Sequence, residues 1–151
     1  MRSSIAGLAV SIFTIFLSLV VIPIYFMSII TYYQDVNRCQ TAARNFVDTV
    51  IDNRQISDAT MAELNINLAA VTTNVHATIQ RETRVIDPSS TGDTTVKWVY
   101  THFDNTTKWK QGDLVTIIIE QESPNLLQNI SAIFLGSNYN SINIRLVGMV
   151  R

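Results

Sequence analysis

The sequence of 151 residues begins with a stretch that lacks charge, since no Asp, Glu, Lys or Arg lies between Ser3 and Gln34. Charged residues make up only 15% of the chain, and all except Arg2 lie at Asp35 or beyond. Two such different compositions in one chain exclude intrinsic disorder, a wholly soluble domain and a polytopic membrane protein. The net charge of −1, with no basic stripe, argues against nucleic-acid binding.

Residues that would support catalysis or metal binding are also scarce. Cys39 is the only cysteine and so forms no disulfide within the chain. It is expected to be a small buried apolar residue, and the alternative is a disulfide between chains or a thiol near a membrane. Together with His76 and His102, both in predicted strands, it falls short of the four ligands of an ordinary zinc site. Glu120 and Glu122 are expected on one exposed strand face. With no phosphate-binding or nucleophile motif, the sequence predicts no enzyme, no metal and no cofactor.

The uncharged stretch is an apolar run from Ile5 to Ile30, interrupted only by small residues and Pro23. As a helix it would measure about 39 Å, more than the roughly 30 Å of a bilayer core. It is about twice as long as a signal-peptide core and lacks a small-residue cleavage site, so we predict a retained membrane helix. The residues assigned to the membrane or to a filament core are Ile5, Leu8, Ile12, Phe13, Phe16, Leu17, Leu19, Val20, Pro23, Tyr25 and Phe26.

The orientation of this helix has evidence on both sides. Arg2 precedes the span, whereas three arginines follow it between residues 38 and 54, which would place the C-terminal part in the cytoplasm. The remainder is rich in Asn and Thr and carries candidate glycosylation sites at Asn105 and Asn129, which favour an external location. We predict an external domain.

Pro23 is the unusual residue of the span, because a proline inside a helix removes one hydrogen bond and crowds the carbonyl of Leu19. Two interpretations stay open: a tolerated kink, and a place where the helix stretches or melts. Beyond Pro23 the apolar period stays near 3.6 residues and predicts one helix from about Ser4 to Ile51 or Arg54. The predicted domains are a helix over 1–54 (apolar 4–31, amphipathic 32–54) and a head over 55–151.

The head reads as a mixture of short helices and strands. Ser57 or Asp58 can cap a helix through Leu68, and Ser123 with proline at the next position predicts another helix, closed by Gly136. Alternation predicts four strands, over about 75–79, 96–100, 114–120 and 142–150. The predicted fold class is α+β, a long N-terminal helix packed on a small, mostly antiparallel four-stranded sheet. The side chains expected to form the core of the sheet are Val96, Trp98, Ile117, Ile119, Ile144 and Leu146.

This layout resembles the type IV pilin superfamily, in which an apolar N-terminal helix continues into a small sheet, and Pro23 matches the proline found part-way along the pilin helix. The segments 46–53, 111–119 and 148–151 are similar to small pilin-like proteins of the TadE group, which accompany tight-adherence pilus machinery. The family's glutamate near the start of the helix has no counterpart here.

The resemblance implies a structural subunit of an extracellular filament that polymerises through its apolar helix. Its partners would be copies of itself, the cell membrane before assembly and the pilus-assembly machinery, with no nucleic acid. A candidate site for leader processing is Gly7-Leu8. The alternative is a membrane-anchored minor pilin or assembly component with an external binding domain.

Overall fold

The computed structural model describes residues 2–71, 73–88, 94–104, 106–136 and 141–151. These residues form an α+β fold, as the sequence predicts. Its elements, in chain order, are α1 (Arg2–Phe16), a π-helical turn (Leu17–Val21), α2 (Ile22–Asn53), α3 (Asp58–Ala69), β1 (Asn74–Pro88), β2 (Thr94–Tyr100), β3 (Leu114–Ser123), α4 (Leu126–Leu135) and β4 (Asn143–Met149).

The helix α1, the π turn and α2 follow one another without a break, which confirms the prediction of one long N-terminal helix. The backbone N–H of Ile22 donates to the carbonyl of Leu17, five residues earlier, as in a π-helix. Pro23 follows directly. Because proline cannot donate to the carbonyl four residues back and its ring crowds that group, a wider turn here relieves both problems. Pro23 thus lies at a local widening of a continuous helix.

The four strands form one antiparallel sheet in the order β2-β1-β3-β4. The strand β1 is long enough to pair with two strands over different parts of its length. Its first half, Asn74–Glu82, pairs with β3, and its second half, Glu82–Pro88, pairs with β2 on the opposite edge. The second half and β2 therefore extend beyond β3 as a two-stranded ribbon.

The hydrophobic core lies between one face of the sheet and the helices α2 and α3. It contains an α2 stripe at three- and four-residue spacing, which is typical of a helix with one buried face. The main core residues are Cys39, Ala43, Phe46, Val47 and Val50 from α2, Leu64 and Leu68 from α3, and Val115, Ile117, Ile119, Ile142 and Val150 from or beside the strands.

Of the residues expected in the core, Ile117 and Ile119 are fully buried, and Ile144 and Leu146 pack against the core. The assignment of Val96 and Trp98 to the core is wrong, because they are 45% and 41% exposed. Trp98 lies opposite Arg84, so both point to the face that the helices do not cover. Alternation along β2 reveals the period of the strand but not which face, if either, is covered.

The ends of the short helices follow the expected chemistry, with one correction. Ser57, not Asp58, caps α3, since its Oγ accepts a 3.1 Å bond from the backbone of Thr60. The assignment of Ser123 as the cap of α4 is wrong, because β3 continues through that residue. Asn125 is the cap, in a reciprocal pair of 2.8 Å bonds with Gln128. Gly136 closes α4 in the left-handed conformation, as predicted.

A buried ion pair joins β1 to the loop before β3. The Nε of Arg81 donates to Asp113 at 2.9 Å, and the backbone N–H of Lys110 donates to the same carboxylate at 2.9 Å. The guanidinium carbon lies 5.5 Å from the ring centre of Trp109, whose backbone N–H donates to the carbonyl of Arg54. These contacts place the middle of β1 level with the C-terminal end of α2.

Candidate functional site: the apolar helix

The first part of the long helix is a continuous apolar surface. Every side chain from Ile5 to Val20 is exposed, as are Pro23, Tyr25 and Phe26. Among the described residues, this is the one helix long and apolar enough to cross a membrane, and only 6% of its most apolar window is buried. Exposed apolar surfaces of this size occur at membrane or protein interfaces, so the helix is able to anchor the chain in a membrane. All predicted membrane residues thus lie on one uncovered helix.

Two polar side chains in this stretch bond within the helix. Ser11 donates to the carbonyl of Gly7 at 3.0 Å, and Thr14 donates to that of Val10 at 2.9 Å. Each hydroxyl bonds one turn back, as serine and threonine do in membrane helices. A surface of this kind suits lipid or a dry contact between helices, because it leaves few polar groups that need water.

The helix begins to be covered at the π turn. Val21, Ser28 and Asp35 are buried and lie seven residues apart, on the face that Cys39 continues into the core. The uncharged helix α4 packs against α2, while its own Leu126 and Ile133 are 74% and 78% exposed. The boundary between free and covered helix therefore falls inside the apolar stretch.

The candidate modification sites lie in helices or outside the described residues. Gly7-Leu8, the candidate processing site, is exposed in α1, and a Cβ added to Gly7 would meet nothing within 4 Å. Asn129 is exposed in α4, whereas Asn105 lies outside the described residues.

The titratable residues considered for chemistry do not converge. Cys39 is fully buried, and burial followed by the charge of Asp35 raises the pKa of its thiol to about 11. His76 is exposed, with Nδ1 3.8 Å from Glu122. His102 lies in the loop after β2, so its placement in a strand is wrong. The residues described contain no cluster of three potential metal ligands.

Glu120 and Glu122 both lie on the exposed sheet face, two residues apart in β3. Glu122 accepts a 2.8 Å hydrogen bond from Asn74. The aromatic residues divide into two groups: Trp109 is buried and packs on Phe103, whereas Trp98 and Tyr100 are exposed. Trp109 belongs to the core and Phe103 packs against it, whereas Trp98 and Tyr100 are available for contacts with another molecule.

Sequence reasoning missed a second apolar surface, the ribbon of residues 83–88 and 94–100, which we call the arm. The apolar side chains that the structure describes there are 41–66% exposed, and they lie on both faces. The first half of β1 runs from near the level of Arg38, which bonds to the carbonyl of Ala70, to the level of Arg54. The arm therefore projects beyond the C-terminal end of α2, by about 20 Å at roughly 3.3 Å per residue. The only sequence signal was the length of the strand-forming run that ends at Pro88.

The chain matches no protein-family model, and neither a curated protein nor a solved structure is significantly similar to it. The geometry of the helix and the head therefore carries the functional argument.

Proposed function

We propose that this chain is a structural subunit of an extracellular type IV-like pilus filament and that it polymerises through its apolar helix. The observation that carries the proposal is the contrast between the two parts of the helix. From Ile5 to Val20 all sides are apolar and exposed, whereas from Cys39 onward one face is the core of the head. Because the core of the head forms without the first part of the helix, that part is available to contact lipid or other copies of the chain.

The same surface suits two environments in turn. Before assembly the helix lies in the cell membrane; after assembly it packs against the helices of other subunits in a fibre core. Burial of a large apolar side chain from water contributes roughly 1.5–3 kcal/mol, but the membrane already supplies most of this. Extraction therefore requires assembly machinery driven by ATP. A head-to-tail contact that repeats along a helix then gives an open filament.

A second function is favoured by the arm, whose Trp98 and Tyr100 are exposed at the end of the head away from the apolar helix. In this alternative the chain is a membrane-anchored minor pilin or assembly component that binds a partner through its head. In the first function most copies of the chain leave the membrane as fibres, whereas in the second the chain stays anchored in the membrane.

Shearing of cells that produce the chain tests the proposal. We expect abundant fibres in the sheared fraction, with this chain as their main protein. Gly7→Leu should remove the fibres while the protein still accumulates in membranes, because overpacking a helix contact costs typically about 1–3 kcal/mol per site. Gly7→Ala is the matched control and should retain fibres. A chain found only in membranes, with no wild-type fibres, would favour the anchored component.

A further inference from the structure

The strand β1 has two uncovered edges on opposite sides. Its first half pairs with β3 and leaves the edge on the β2 side open, whereas its second half pairs with β2 and leaves the edge on the β3 side open. In the described part of the chain, no backbone group bonds to either open edge between Asn74 and Gln80 or between Thr83 and Pro88. Open edges of this length are templates for pairing with another strand.

The backbone groups at these edges are oriented to pair with each other. The carbonyl of Arg81 accepts from Thr101, on the β2 side. Because orientation alternates along a strand, Val75, Ala77 and Ile79 also point to that side, and Arg84 and Ile86 point to the other. In a parallel pair, a residue whose N–H and C=O point towards the other strand bonds to two residues of that strand. These are the residues before and after the one directly beside it. Arg84 beside His76, and Ile86 beside Thr78, satisfy this rule.

We propose that the open edge of the arm in one copy pairs in parallel with the open edge of the first half of β1 in the next copy, so that the sheet continues from subunit to subunit. This pairing rests on the proposed filament function and specifies the contacts between heads in that filament. The register places Glu82–Pro88 of one chain beside Asn74–Gln80 of the other, a shift of eight residues. An even shift keeps every side chain on its own face of the sheet.

The side chains on the core face fit this register. Val85 of the arm, 44% exposed, comes beside Ala77 of the neighbour. Ala77 borders a groove of about 500 Å³ between α3 and β1, whose apolar lining includes Met61 and Leu68. Thr73 also lines this groove, and its Oγ1 is buried without a hydrogen-bond partner among the described residues. In the proposed register, Val85 of a second copy therefore lies at the border of this groove, beside Ala77.

The charges on the outer face are complementary as well. Arg84 of the arm is exposed and comes beside His76 of the neighbour, which lies across from Glu120 and 3.8 Å from Glu122. The guanidinium thus approaches two exposed carboxylates. Electrostatic complementarity of this kind fixes register more than it adds affinity.

The pairing is head-to-tail, because the two edges are different surfaces of one chain. A shift of eight residues moves the next copy by about 26 Å along the strand, at roughly 3.3 Å per residue. β1 and α2 run in the same direction, so neighbouring apolar helices stay parallel as the copies advance. Such a contact does not close on itself and generates a filament.

Cysteine cross-linking of the full chain tests this contact. In a Cys39→Ser background, Ile86→Cys combined with Thr78→Cys should give a ladder of covalent multimers with a short bismaleimide, in fibres or in membranes. Either cysteine alone should give only monomer, because each contact uses one residue from each copy. Ile86→Cys combined with Val147→Cys is the matched control, since Val147 lies on the same face at the far edge of the sheet, and it should give no ladder.

A second variant checks the contact without chemistry. Ile86→Lys should lose the fibres and keep the circular dichroism of the wild type, whereas Val147→Lys should keep both. Fibres without a ladder, or normal fibres from Ile86→Lys, would overturn the edge pairing and leave the filament function standing. A ladder without fibres would support the pairing and contradict the filament function. Dimers from either single-cysteine variant would show a symmetric contact and overturn the register.

Discussion

At the scale of single residues, Gly148 shows how closely β4 approaches the long helix. A Cβ at this position would overlap Val47 Cγ1 and would lie 2.7 Å from Ile51 Cδ1. Both neighbours are branched side chains of α2 that pack in or against the core. The absence of a side chain at residue 148 therefore permits the contact between strand and helix.

We predict that Gly148→Ala lowers the free energy of unfolding by about 1–3 kcal/mol, because the added methyl overpacks this contact. Urea unfolding in detergent, followed by tryptophan fluorescence, measures the change. Gly7→Ala is the control, since its Cβ would meet nothing within 4 Å. A Gly148→Ala protein as stable as the wild type would show that α2 and β4 lie further apart.

The thiol of Cys39 gives a prediction that depends on pH. Burial raises its pKa to about 11 in the folded chain, so it stays protonated while the thiol of the unfolded chain ionises near its ordinary value. The free energy of unfolding is therefore unaffected by this thiol at neutral pH, and it decreases as pH rises from 9.0, the ordinary pKa, towards about 11. A maleimide should label Cys39 only after denaturation, and Cys39→Ser should assemble normally. A disulfide-linked dimer that disappears in Cys39→Ser would contradict this.

At the scale of elements, the π turn is the feature that sets the two halves of the long helix relative to each other. It contains an extra residue in one turn, which rotates every face before Leu17 relative to the faces after Val21. Since the second half is fixed to the head, this turn decides which apolar residues of α1 lie on the same side as the head.

Pro23→Ala should restore regular α-helical bonding, because alanine supplies the missing N–H and removes the ring. We expect the face of α1 to rotate by about 100°, the angle of one residue in a helix with 3.6 residues per turn. Fibres of this variant should therefore be lost or have a different helical twist. Ser18→Ala, within the same turn, is the control. An unchanged twist in Pro23→Ala fibres would contradict a role for the π turn.

The sequence predicts an element correctly where the spacing of its apolar residues shows which face is buried. The stripe through Cys39 and Phe46 and the apolar run of β3 indicate buried faces directly. The errors arise where tertiary context decides. Val96 and Trp98 alternate like a core strand, yet β2 pairs with the half of β1 that lies beyond the helices. The cap of α4 moves from Ser123 to Asn125 because β3 continues further than its apolar residues.

The candidate site also has one part that the sequence predicts and one part that it does not. Exposure of the apolar helix follows from its length and lack of charge, and the residues expected on it all lie there. The arm and the open edges of β1 depend on which half of one strand each neighbour covers. No local pattern encodes that choice, and the predicted strand over 75–79 covers only the half of β1 that pairs with β3.

At the scale of the whole molecule, the head closes a core to which the first half of the apolar helix adds nothing. Deletion of Ile5–Ile30 should therefore give a soluble protein whose circular dichroism retains the sheet, since the core begins at Cys39. Size-exclusion chromatography should find a monomer. An unfolded or aggregated product would show that the contact near Val21 and Ser28 is needed for folding.

In the filament that we propose, the apolar helix of each subunit packs against the helices of other subunits. A reconstruction by electron cryomicroscopy of fibres sheared from producing cells tests this directly. We predict a core of parallel helices formed by residues 5–30, surrounded by heads with the four-stranded sheet. Fibres built from heads alone, or wild-type protein that forms no fibres and stays in the membrane, would contradict it.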